Sequence, residues 1–185
     1  MLRFLTHCAL LCTLAVLVGC GTPHATMKNV TGQDVMLLGH DPVAYFTKAQ
    51  SVRGNPVFQT TLPGRTYYFT SAEHKKLFDA APDKYEPQYA GFCASGASYA
   101  LKLGSDPTEW RVVDGKLYIF GGAGSRDGFL LDVPANIALA NKYWKEEVAG
   151  NNSFWQRTKR LTFRVPHYKS GKDLADLVAA KKAKG

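Results

Sequence analysis

Two side chains hold most of the reactive chemistry of this sequence. Cys93 lies in Tyr89-Ala-Gly-Phe-Cys-Ala94, and His74 closes Tyr68-Phe-Thr-Ser-Ala-Glu-His74. A thiolate is a soft ligand and a nucleophile, whereas an imidazole is a borderline ligand and a base. Together with His40 and Asp41, in Gly39-His-Asp-Pro42, they form a donor set suited to copper, as Cu(I), or zinc. Spacing does not bring them together, since Cys93 is nineteen residues beyond His74. Cysteine-protease chemistry would need a carboxylate or amide to orient His74 and an oxyanion hole, and the sequence indicates neither. With no Cys-x-x-Cys, thiol exchange would need an external partner. Each residue also has an ordinary alternative. Cys93 can be a small core residue, His74 a histidine bonded to backbone at a helix edge, and Asp41 a turn and cap residue. The aromatics around them read as core, with the polar tips of Tyr45, Tyr68 and Tyr89 placed to line a small pocket.

The compartment sharpens the meaning of Cys93. Arg3, an apolar run over residues 8–18 and then Leu17-Val-Gly-Cys20 form a secretory signal over residues 1–19, too short for a membrane span. The last four residues are also the pattern of a bacterial lipoprotein signal, in which Cys20 is acylated and becomes the first mature residue. Several acyl chains on one residue give stable anchoring to a membrane. Gly21 in place of Asp favours the outer membrane, facing the periplasm. Of the four cysteines, Cys8 and Cys12 leave with the signal and Cys20 carries lipid, so no disulfide scaffold is available. An unpaired thiol in an oxidising compartment should be buried, metal-bound or reactive.

The elements that must position these residues are those of an α+β domain. Residues 20–30 read as a tether, 31–150 as the domain and 151–185 as a basic extension. A buried strand is expected over residues 35–38. A hairpin is expected from residues 56–61 and 66–70 around Pro63-Gly64, followed by a helix over residues 72–80 capped by Ser71. Residues 84–88 read as a loop, and residues 89–100, rich in small side chains, as a short helix or turn carrying Cys93. Asp114-Gly115 predicts a second hairpin. Residues 121–128, glycine-rich but without phosphate-loop spacing, read as a plain loop. A helix runs from Pro134 to about Val148, and another from Lys172 to about Lys182.

Leu37-Leu-Gly-His-Asp-Pro-Val-Ala-Tyr-Phe46, Tyr68 to His74, Lys84-Tyr-Glu-Pro-Gln-Tyr-Ala-Gly-Phe-Cys-Ala94 and Trp110 to Tyr118 resemble, in order, the secreted YHS-domain proteins of bacteria. The resemblance covers about Val35 to Trp144 and implies a small α+β domain built on a hairpin and the helix after it. Relatives in metal ATPases and metal sensors carry cysteines at the positions of Ala44, Thr70 and His74, where metal chelation is the proposed role. Here only His74 keeps a ligand type, beside the Cys93 of this branch.

Charge divides the chain unevenly. The net charge is +8, and residues 151–185 hold nine Lys/Arg against two Asp/Glu, a net of +7. In that extension Phe154, Trp155, Leu161, Phe163 and Val165 alternate with Arg157, Lys159, Arg160 and Arg164. The compartment and the lack of any reading motif argue against nucleic acid. Anionic lipid, or an envelope protein, is the partner expected for this basic set. The reading is therefore an envelope lipoprotein, not an enzyme, whose domain binds a transition metal, copper or zinc, or another small ligand, through His74 and Cys93 with His40 and Asp41 beside them. An interaction protein with a buried Cys93, and a thiol-dependent enzyme, are the other readings.

Overall fold

The computed structural model describes residues 25–184. The signal over residues 1–19 and the lipidation site Cys20 lie outside the described residues. The fold is α+β. A four-stranded sheet is built from β1 (Thr26–Lys28), β2 (Asp34–Met36), β3 (Asn55–Leu62) and β4 (Arg65–Phe69), in the order β1-β2-β4-β3. β2 pairs with β4 in parallel, and the other two pairings are antiparallel. A second sheet is the hairpin of β5 (Asp106–Val113) and β6 (Lys116–Phe120). Residues 26–28, expected in the tether, are thus the edge strand of the first sheet.

Both hairpins turn on two residues whose chemistry dictates the turn. Leu62 pairs with Arg65 across Pro63-Gly64, and Val113 pairs with Lys116 across Asp114-Gly115. Asp114 and Gly115 both have positive φ, at 49° and 70°, the conformation that matches the twist of the flanking strands. The strand expected over residues 35–38 stops at Met36. Leu37 and Leu38 take left-handed conformations in a tight 3-10 turn, Leu37–Gly39, because that places Leu37 in the seam between the sheets. There it is fully buried with Tyr45, Leu117 and Ile119.

Helix α1 (Ala44–Thr47) follows the Asp41-Pro42 turn. Helix α2 (Ala72–Ala80) begins, as expected, at Ser71, whose hydroxyl accepts the His74 amide at 3.2 Å. α2 lays Phe78 against Tyr67 and Phe69 of β4, forming a core with Met36, Val43 and Tyr85. Burying a phenyl ring such as Phe78 contributes on the order of 2 kcal/mol. The loop expected over residues 84–88 is instead α3 (Pro82–Tyr85) followed by a 3-10 turn, Gln88–Gly91. The short helix expected near Cys93 is α4 (Ala94–Ser98).

The glycine-rich segment expected to be a plain loop is α5 (Ala123–Phe129). Packing overrides weak propensity there: Phe129 is buried against Tyr118 and Phe120, beside Ala140 of α6 (Val133–Tyr143). A single π turn, Trp144–Val148, ends α6. Residues 151–184 form α7 (Ser153–Thr162) and α8 (Gly171–Lys182), the latter capped reciprocally by Ser170 and Asp173. They lie on the domain: Gln156 donates to the Ala100 carbonyl at 2.7 Å, and the His167 ring nitrogen meets the Ser98 carbonyl at 2.8 Å. Among the described residues no helix is long and apolar enough to cross a membrane.

Candidate functional site

His74 reaches its place because α2 starts directly after β4, putting residues 70 and 74 one turn apart over the Asp41 turn. Asp41 is fully buried. Its Oδ1 accepts the amides of Val43 (2.8 Å) and Ala44 (3.3 Å). Its Oδ2 accepts the Thr70 amide (2.7 Å), the Thr70 hydroxyl (2.8 Å) and Nδ1–H of His74 (2.6 Å). The orienting carboxylate that the sequence does not indicate for His74 is therefore Asp41. His74 Nε2 is 3.3 Å from the Thr47 hydroxyl, which also reaches the Val43 carbonyl at 3.0 Å. This cluster ties α1, β4 and α2 to one buried carboxylate, and His74 itself is buried.

Cys93 belongs to another neighbourhood. It is buried, and its sulfur accepts the Gly121 amide at 3.2 Å and the Gly96 amide at 3.4 Å. The thiol lies 3.9 Å from the Ser125 hydroxyl, and the Cys93 amide donates to the Leu103 carbonyl at 3.1 Å. These contacts join α4, the end of β6 and α5, and none involves a partner of His74. His40 turns a third way: its Nδ1 lies 3.0 Å from the Leu37 carbonyl, and its backbone bridges Arg53. Burial is the main force lowering the His40 pKa. Arg53 lowers it further, against a rise from the Leu37 hydrogen bond and a smaller one from Asp106.

Of the four expected metal ligands, hydrogen bonding joins only Asp41 and His74. Among the described residues no group of three or more His, Cys, Asp and Glu side chains is placed to hold a metal ion. The contacts of Cys93 and those of His74 have no residue in common, so hydrogen bonding does not join the two into one site. The three tyrosines expected at a pocket are buried core residues. Tyr45 donates to the Pro107 carbonyl at 2.9 Å and stacks edgewise on Trp110. Tyr68 packs where its backbone and Cβ close on Gly54. Tyr89 donates to Asn141 at 3.0 Å. Burial raises the pKa of both Tyr45 and Tyr89, so both stay protonated phenols.

The basic extension holds the clearest departure from ordinary packing. On α7, Gln156 and Arg160 face the domain, while Phe154, Trp155, Thr158 and Leu161 lie on the opposite side. Exposure is 65% for Phe154, 69% for Trp155, 77% for Leu161 and 67% for Phe163 just beyond the helix. The inner side is held by one carboxylate, Glu147, which pairs with Lys159 at 2.6 Å and with Arg160. Burial alone would raise the Glu147 carboxyl, but Lys159 and Arg160 outweigh it and hold its pKa below the ordinary value. Two of the four expected surface cations are thus engaged inward, and the amphipathic helix is mounted with its aromatic face to solvent.

Beside the first turn of α7 is a hollow of about 550 Å³ lined by Phe92, Lys102, Phe154, Arg157 and residues 151–153. No protein-family model, curated protein or solved structure matches this chain. Sequence reasoning missed Thr47, Thr70, Glu147 and Lys102. The one signal for Lys102 was its position as the lone charge in residues 93–105. Glu147 was the acid nearest to the basic extension.

Proposed function

We propose that this chain is an envelope lipoprotein of the secreted YHS-like type, held at a membrane through Cys20, whose α+β domain is a lipid-surface binding module. The observation that carries this reading is the mounting of α7. A surface helix of a water-soluble domain buries its apolar stripe and exposes its charges. Here Gln156 and Arg160 are inside and Phe154, Trp155, Leu161 and Phe163 are outside. Several large apolar side chains exposed on one short segment mark an interaction site. A tryptophan and two phenylalanines with Arg157 and Arg164 on the same short segment suit the boundary between headgroups and acyl chains. Rings enter that boundary and guanidinium groups meet phosphates there.

The test is quenching of Trp155 by lipid-borne bromine in the full chain reconstituted into vesicles. The expected result is emission quenched by brominated lipid, with the quenched component absent in Trp155→Phe. Emission that brominated lipid leaves untouched, while aqueous iodide quenches it, would overturn the reading. Copper or zinc handling supplies the competing outcome. Stoichiometric Cu(I) or Zn(II) uptake lost in both Cys93→Ser and His74→Ala, without Trp155 quenching, would put the metal reading in its place.

A further inference from the structure

The hollow beside α7 combines two cations, two aromatic walls and no acid. Lys102 Nζ sits 5.0 Å over the Phe92 ring, and its hydrogen-bond partner is a neutral carbonyl, that of Asn151, at 3.1 Å. Arg157 Nε is buried without a hydrogen-bond partner among the described residues. No Asp or Glu lines the hollow. The nearby Glu147 carboxylate is taken by Lys159 and Arg160. Two cations with no acid partner around a shallow, partly apolar hollow favour an anion that both can contact through charge-assisted hydrogen bonds. Burial lowers the Lys102 pKa, the response of an ammonium lacking a counter-charge.

Phe154 forms both a wall of this hollow and the start of the outward aromatic face, and it packs edgewise on Trp155. An anion held at Lys102 and Arg157 therefore has an apolar path leading from it over Phe154 and Trp155. A volume of about 550 Å³ accommodates a headgroup rather than a whole lipid. We propose that the hollow formed by Lys102, Arg157, Phe92 and Phe154 binds the phosphate headgroup of an anionic amphiphile, with its acyl chains lying along the exposed face of α7. This site deepens the lipid-surface reading and rests on it for the path of the chains.

The closing experiment separates the two. Full-length protein is titrated with monomeric dihexanoyl phosphatidic acid, and separately with inorganic phosphate, following backbone amide shifts. One-to-one binding of the short-chain lipid is expected, weakened about tenfold or more in Lys102→Gln and in Arg157→Gln. Inorganic phosphate is expected to bind far more weakly, because it lacks the apolar contact. No binding of the short-chain lipid, or binding by both variants as tight as by the parent, overturns the site. Equal affinity for inorganic phosphate overturns the amphiphile and leaves a free-phosphate site. The surface reading is checked in the same samples by Trp155 quenching in neutral brominated vesicles. Quenching without short-chain binding sinks the hollow alone, and short-chain binding without quenching sinks the surface reading and the path of the acyl chains, leaving a headgroup site.

Discussion

Asp41 is the residue on which the first half of the fold depends. Five donors converge on one buried carboxylate, and replacing it by an amide turns one accepting oxygen into a donor facing other donors. Asp41→Asn should cost on the order of 3 kcal/mol, the penalty for leaving buried partners of a charged group unsatisfied. Urea denaturation checks this through a lowered midpoint at unchanged slope; an unaltered midpoint would show that the cluster is not stabilising. His40 gives a pH signature. Its pKa is depressed in the fold, so its neutral form is preferred there. That contribution is complete above the unfolded value of about 6.5 and is lost as pH falls toward the folded value. His40→Asn, which keeps a donor for the Leu37 carbonyl, should therefore show a shallower decline in melting temperature between about pH 6.5 and 5 than the parent. Parallel declines would remove His40 from the account. At this scale the sequence displayed residue types well and partnerships poorly. Asp41 was readable as a turn residue, which it is. Its contact with His74 spans thirty-three positions, and no local pattern announces it.

Among the elements, the hairpins and α2 were legible because their signals are local: a Pro-Gly or Asp-Gly turn, and a serine cap. α5 was not, because its glycines argue for a loop and only Phe129 settling on Phe120 and Tyr118 makes it a helix. α7 was not legible as an oriented helix. Its residues alternate between aromatic and basic, and the sequence cannot say which set faces inward. Glu147 decides that, from outside the helix. Glu147→Gln should loosen α7 by about 1 kcal/mol, discounted because Lys159 is half-exposed. Steady-state anisotropy of Trp155 reads the change, and an unchanged anisotropy would mean that Gln156 alone fixes the helix. Adding salt to the parent should weaken only the more exposed Lys159 contact.

For the molecule as a whole, the boundary drawn at residue 150 by composition is a change of charge more than a change of core. Val165 is buried with Ala100 and Val148, whereas α8 has no buried residue and touches the domain through Leu174 on Gly128 and Lys182 on Asp127. A chain ending at Tyr168 should therefore lose only about 1 kcal/mol of stability, no more than a typical single substitution costs. A chain ending at Gly150 should lose on the order of 3 kcal/mol or more, since it opens the Ala100–Val148 cluster and orphans the Ala100 carbonyl. Equal losses in urea denaturation would contradict this division.

The outward mounting of α7 also has a calorimetric consequence. Phe154, Trp155, Leu161 and Phe163 are hydrated in the folded protein much as in the unfolded one, so they add little to the heat capacity of unfolding. Their dehydration is deferred to whatever the face docks against. Transfer to a bilayer should then carry the negative heat-capacity change that folding omits, and the heat of vesicle binding should grow more exothermic with each rise in temperature. Replacing the four side chains by serine should flatten that slope while leaving the heat capacity of unfolding nearly where it was.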